Sequence, residues 1–304
     1  MATIHSNGLR FEVVQHGETS DPAVVLVMGL AAQLTRWPEA FVQALAESGF
    51  RVISFDNRDV GLSQKLAAKR TPSPVWVSLL DLIGLAGLAA PYKLTDMAAD
   101  TIGIMDALNI EDAHIVGASM GGMISQILCA ENPQRVKSLT AIMSSTNNPA
   151  LPRADPSISK EVFFARSESA SREDLIENTL RLWQLIGTKD GGRDENEFRQ
   201  QVADSIDRNS SPAGIRRQLA AIIATRDLRA WTRRIEASSL VIHGSDDPLV
   251  PLACGQDIAA SIDGARMEII EGMGHDLPPR HLTEVTAHVL EHLHRCEAAS
   301  VRAA

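Results

Sequence analysis

The chain has few cysteines, no basic surplus and no long unbroken apolar run, and each shortage excludes a class of protein. Three cysteines in 304 residues, Cys129, Cys254 and Cys296, are odd in number and far apart, so neither a disulfide framework nor a zinc-ligand spacing is readable. The 29 Lys and Arg residues are outnumbered by 38 Asp and Glu, and the net charge of −9 leaves nothing to neutralise phosphates, which argues against a nucleic-acid partner. The densest basic cluster, Arg226, Arg229, Arg233 and Arg234, is interleaved with Asp227 and Glu236 and reads as a solvated face. The N-terminus, Met1 to Gly8, lacks the apolar core of a secretory signal, which makes the cytoplasm the expected location. The longest apolar stretch, Val75 to Ala90, is broken by Asp81 and falls short of the roughly 20 residues of a membrane span. It is expected to pack inside the fold or to cover a pocket. No repeat or low-complexity tract is present.

What is there is ordinary globular composition, 44% hydrophobic and 22% charged, enough for one large domain or two small ones. Arg10 to Gln15, Ala23 to Val27, Phe50 to Phe55, Ala113 to Gly117 and Leu139 to Met143 read as strands. Between them, Trp37 to Ser48 and Thr95 to Leu108 repeat apolar residues at helical spacing. Such alternation predicts an α/β fold, a mostly parallel central sheet with helices on both faces and functional loops at the carboxyl ends of the strands. Between Asn147 and Glu236 the strand pattern stops, and Ser171 to Leu185 and Ile215 to Ala224 are the clearest helices. Strands resume at Ser239 to Gly244 and Arg266 to Ile270, and His281 to Cys296 reads as a closing helix. The expected division is therefore a core of residues 1–146 and 236–304 with residues 147–235 inserted as a helical cap.

The most informative stretch is Gly117-Ala118-Ser119-Met120-Gly121, a G-x-S-x-G motif directly after a strand and before a helix beginning at Met120. A serine on so sharp a turn projects its hydroxyl above the sheet edge, the position of a nucleophile. A hydroxyl is weakly nucleophilic at neutral pH and needs an imidazole to take its proton, and the imidazole needs a carboxylate to hold its tautomer. Downstream strand ends deliver the acidic pair Asp246-Asp247 and then His275 on a glycine-rich loop. Ser, Asp, His is the chain order expected of α/β-hydrolases.

With these residues, and with Leu26-Val27-Met28-Gly29-Leu30, Phe55 to Ser63 and Gly272-Met273-Gly274-His275, the chain resembles the α/β-hydrolases over nearly its whole length. Within them it is similar to the serine esterases typified by aclacinomycin methylesterase. The resemblance implies the α/β-hydrolase fold with its cap, and it selects Asp247 over Asp246 through the loop His243 to Pro251. It implies catalysis by Ser119, Asp247 and His275, with an oxyanion hole formed by the backbone N–H groups of Leu30 and Met120. Two positions depart from the family pattern: Met28 stands where a histidine is usual, and Asp59 where a glycine is usual. Arg58 is expected to brace that second loop through an ion pair.

The expected activity is cleavage of a small-molecule carboxylic ester, a methyl or small alkyl ester, through an acyl-enzyme, with no cofactor and no metal. His288 and His292, four apart on the closing helix, are expected to face solvent rather than to ligate metal. Lactone hydrolysis, carbon–carbon bond hydrolysis and perhydrolysis use the same triad and remain open, as do a non-catalytic receptor role and a homo-oligomer. A carbon–carbon hydrolase would want cations for a substrate carboxylate, and Arg166, Arg172 and Arg181 are candidates. Trp76, Leu79, Leu82, Phe163, Phe164 and Trp183 are candidates for the wall of an apolar substrate pocket.

Overall fold

In the computed structural model, residues 2–66, 73–164 and 170–303 are described. Eight strands, β1 (Ala2–Ser6), β2 (Leu9–His16), β3 (Ala23–Val27), β4 (Arg51–Phe55), β5 (Ala113–Ala118), β6 (Val136–Ile142), β7 (Ser238–Gly244) and β8 (Arg266–Ile270), form one sheet in the order β1-β2-β4-β3-β5-β6-β7-β8. Strand β2 runs antiparallel to β1 and β4, and the other pairings are parallel. Strands β3, β4 and β5 are buried along their length, as central strands covered on both faces require.

The core helices are α1 (Glu39–Glu47), α2 (Pro74–Leu82), α3 (Ala86–Ala89), α4 (Leu94–Ala107) and α5 (Met120–Glu131). Between β6 and β7 come α6 (Pro156–Phe164), α7 (Arg172–Ile186), α8 (Glu195–Arg208), α9 (Pro212–Thr225) and α10 (Arg229–Thr232). Helices α11 (Leu252–Ser261) and α12 (Pro279–Ala303) complete the chain. The two-residue alternation of β3 divides the core. Val25 and Val27 pack with Met97 and Ile104 of α4 and Ile124 of α5, whereas Val24 and Leu26 pack with Phe41 and Leu45 of α1 and Val289 and Leu293 of α12.

Strand β1 is absent from the sequence reading. Its burial pattern is mostly exposed, so apolar patterning gives little signal, but Asn7-Gly8, both at positive φ, form the tight turn that pairs it with β2. The Val75 to Ala90 stretch does not pack inside the fold. It becomes α2 and α3, which bury Val77 and Ala86 against Ala220 and Ala224 of α9 and leave Trp76 66% and Leu82 81% exposed. No described helix is long and apolar enough to cross a membrane.

The histidine pair on α12 also differs from expectation. His288 is partly exposed, but His292 lies three residues from Val289 on the inward side and is fully buried. On β5, His114 is equally buried, its ring nitrogens 2.7 Å from Ser138 Oγ and 2.9 Å from Glu297. Burial pushes both rings from 6.5 down to about 4. As pH falls through that window the unfolded chain takes up protons that the folded chain refuses. Stability should then drop with a slope approaching about 1.4 kcal/mol per pH unit for each ring. Urea unfolding midpoints are expected to be lower at pH 5 than at pH 7, with a smaller drop in His292→Leu; midpoints equal at the two pH values would contradict this.

Candidate active site

Ser119 occupies the junction between β5 and α5 with φ 54 and ψ −121, a left-handed conformation costly to a residue with a Cβ. Its surroundings hold it there. The Ser119 amide donates to the Ile142 carbonyl (2.9 Å), and its own carbonyl accepts from the amides of Gly122 (2.9 Å) and Met123 (3.3 Å) and from Ser144 Oγ (2.8 Å). The chain closes tightly around this turn: a Cβ on Gly121 would overlap the Val27 carbonyl, and one on Gly122 would lie 2.6 Å from Ser144 Cβ.

The loops after β7 and β8 bring the acid and the histidine to the same place. His275 Nε2 lies 3.0 Å from Ser119 Oγ, and His275 Nδ1 lies 2.7 Å from Asp247 Oδ2, with both His275 and Asp247 buried. Asp247 is the acid that reaches the ring. Asp246 is exposed and accepts from Ser245 Oγ at 3.0 Å. The other oxygen of Asp247 accepts from the amides of Leu249 (2.9 Å) and Val250 (2.8 Å), which fixes the carboxylate as an acceptor toward the imidazole. His243, 3.7 Å from Asp247, is pushed down by burial, and its Nε2 lies 2.7 Å from the Val250 carbonyl; it stays neutral beside the acid.

Leu30 follows β3 and Met120 opens α5. Among the described residues, neither backbone N–H has a hydrogen-bond acceptor, and both residues line the cavity that Ser119 and His275 share. The Gly29 backbone runs against the serine, since a Cβ built on it would stand 3.0 Å from Ser119 Cβ. In place of the usual histidine at Met28, the main chain of this loop is held from the next one: Asn57 Nδ2 donates to the Met28 carbonyl (2.8 Å), and Asp56 Oδ1 accepts from the Leu34 amide (2.8 Å). Arg58 grips Asp100 through two bonds of 2.6 Å, the ion pair expected of this loop. Asp59, at φ 71, is bound by Arg217 (2.6 and 2.9 Å) and Tyr92 (2.8 Å), so the departure from glycine recruits α9 as a brace.

A second clamp went unread in the sequence. The His275 amide donates to the Ile186 carbonyl (2.7 Å), the Gly274 amide to Thr188 Oγ1 (2.8 Å), and Thr188 Oγ1 to Asp276 Oδ1 (2.6 Å), while Arg193 pairs with Asp276. The end of α7 thus fastens the histidine loop. The only sequence signal is a polar acid directly after His275.

Above Ser119 lies a cavity of about 2090 Å³. Trp183, Leu79 and Leu82 line it, but Trp76 does not: it sits on the outward face of α2, where helical spacing turns it away from Val77. The side chains of Phe163 and Phe164, and Arg166 as a whole, fall outside the described residues. Arg172 and Arg181 are exposed on α7 and do not line the cavity, Arg172 being paired with Asp207 at 2.6 Å. Among the described residues, no three His, Cys, Asp or Glu side chains gather as a metal site.

The tight closure around the serine turn gives a stability ordering. Gly121→Ala forces a Cβ into the Val27 carbonyl and is expected to cost about 3 kcal/mol or more. Gly264→Ala meets nothing within 4 Å and carries only the strain of φ 72, a cost of about 1 kcal/mol. Equal thermal midpoints for the two variants would show that the turn is not tightly closed.

Comparison with known proteins agrees with this architecture. Rhodomycin D methylesterase DauP of Streptomyces sp. strain C5 is 26% identical over 282 residues, covering 86% of this chain and 87% of that protein. The 2-hydroxy-6-oxononadienedioate/2-hydroxy-6-oxononatrienedioate hydrolase of Cupriavidus pinatubonensis is 29% identical over 174 residues, 57% of this chain and 59% of that protein. The enol-lactonase from Burkholderia xenovorans LB400 superposes with a TM-score of 0.75 at 24% identity, covering 96% of this chain and 99% of that one. A family model matches residues 22–281, and with strand order, serine turn and inserted helices already in place the chain belongs to the alpha/beta hydrolase fold family.

Proposed function

We propose that the protein is a carboxylic ester hydrolase acting through a covalent acyl-enzyme. The observation that carries this reading is the unbroken hydrogen-bond chain from Ser119 Oγ through His275 to Asp247, opening into a cavity beside two unpaired backbone amides. Ser119 Oγ attacks the ester carbonyl as its proton passes to His275 Nε2, and Asp247 stabilises the resulting imidazolium through Nδ1–H. The N–H groups of Leu30 and Met120 receive the oxyanion. His275 then returns the proton to the departing alcohol, and a water activated by the same ring releases the acid. No cofactor takes part in these steps.

Residues 147–235 act as a cap over this chemistry in a protein placed in the cytoplasm. The likeness to a methylesterase supports a methyl or small alkyl ester as substrate. The cavity volume of about 2090 Å³ exceeds the roughly 300–1,000 Å³ of common ligand pockets and supports a bulky acyl part.

Purified protein is expected to hydrolyse methyl and nitrophenyl esters, and Ser119→Ala is expected to lower kcat by about 10⁴-fold or more with an unchanged circular dichroism spectrum. Asp247→Asn is expected to be far more damaging than Asp246→Asn, because only Asp247 holds the ring. Retention of more than about a tenth of the activity in Ser119→Ala, or the reverse order for the two aspartates, would overturn the assignment.

A further inference from the structure

Among the cavity residues that the hydrolytic steps leave without a role, Arg36 is set apart by where its guanidinium is held. Arg36 ends the short helical turn Leu34–Arg36 that follows the Leu30 loop, and it lines the cavity. Its guanidinium carbon lies 4.0 Å from the centroid of the Trp183 ring and 5.0 Å from that of Phe198, and Arg193 lies 4.1 Å from the same Phe198 ring. The aromatic rings come from α7 and α8, so this cation is held between the core loop and the inserted helices.

The two arginines differ in one respect. Arg193 is paired with Asp276, which also accepts from Thr188. Among the described residues, the Arg36 side chain makes no hydrogen bond or ion pair. Asp194, on the same wall, caps α8 by accepting from the Glu197 amide, and Glu197 is exposed. Two guanidinium groups thus share one committed carboxylate. Burial and the neighbouring Arg193 push Arg36 down to about 10, against the pull of Asp276, which still leaves it charged at neutral pH. Stacking on an aromatic face uses the flat side of a guanidinium and leaves its N–H edge free for a planar, bidentate acceptor.

We propose that Arg36 is the subsite for a carboxylate on the acyl part of the substrate, so that the protein acts on esters of acids carrying a second, ionised carboxyl group. This specificity rests on the Ser119 reading above. The guanidinium of Arg36 carries one charge and matches that of a carboxylate, whereas a phosphate dianion would leave excess negative charge beside Asp276. Of the other cations, Arg172 and Arg181 are exposed and off the cavity, and Arg153 and Lys160 line it as exposed residues, whereas Arg36 is packed against two aromatic rings.

The test compares mono-nitrophenyl esters of the straight-chain dicarboxylic acids from succinate to suberate with neutral alkanoate esters of equal length. At the length that spans Ser119 and Arg36, kcat/KM is expected to favour the acidic ester by about tenfold or more, chiefly through KM. Arg36→Gln is expected to bring that ratio to about one, and Arg36→Lys to restore part of it. A ratio at or below one at every length, or a preference that survives in Arg36→Gln, overturns the proposal. Calorimetric titration of the monomethyl dicarboxylates into Ser119→Ala, with and without Arg36→Gln, reads the subsite without turnover. Binding weakened about tenfold by the second substitution supports the subsite, and equal or undetectable binding overturns it. Failure of the wild-type protein to cleave either ester series, with that binding difference intact, counts against the esterase reading alone.

Discussion

One backbone angle governs the candidate site. Ser119 at φ 54 pays a conformational cost of order 1–3 kcal/mol, and it persists because the neighbouring chain admits no other path. Gly121 lies directly against the Val27 carbonyl and Gly29 against the serine side chain. The contact that confines the serine therefore also brings the loop after β3 beside the start of α5. A hydroxyl lifted off the sheet and two amides facing one cavity follow from a single close approach of two chain segments.

Buried charge holds the second layer. Arg208 of α8 and Arg217 of α9 reach down to Asp56 and Asp59, and Gln218 donates to the Arg58 carbonyl (2.8 Å) while accepting from the Ala31 amide (3.0 Å). On the other side Ile186, Thr188 and Arg193 hold the loop of His275 and Asp276. The inserted helices are thus structural partners of both the Leu30 loop and the histidine loop. Removing one member of a buried pair such as Arg217 and Asp59 strands a charge, a loss of about 3–5 kcal/mol, so these braces resist piecemeal change.

Much of this was legible because local pattern and chemistry coincide. The limits of β3 and β8 match the apolar runs Ala23 to Val27 and Arg266 to Ile270, and α5 begins and ends where the glycines and Asn132-Pro133 place it. Ser119, Asp247 and His275 stand at strand ends in the sequence and meet in space. What stayed hidden depends on distant partners. Arg36 gains meaning only from Trp183 and Phe198, Asp276 only from Thr188 and Arg193, and His292 only from the packing of α12 against the sheet. The α2–α3 segment misled for the opposite reason. Its apolar composition suggests burial, yet α9 offers it only a narrow contact through Ala220 and Ala224.

On the proposed reading Ser119 is an activated nucleophile rather than a serine trapped in a tight turn. Covalent labelling by a fluorophosphonate, read by intact mass and peptide mapping, tests it most directly. One adduct per chain is expected, located on Ser119 and lost in His275→Ala. An unlabelled protein, an adduct on another residue, or labelling that persists without the histidine would contradict it.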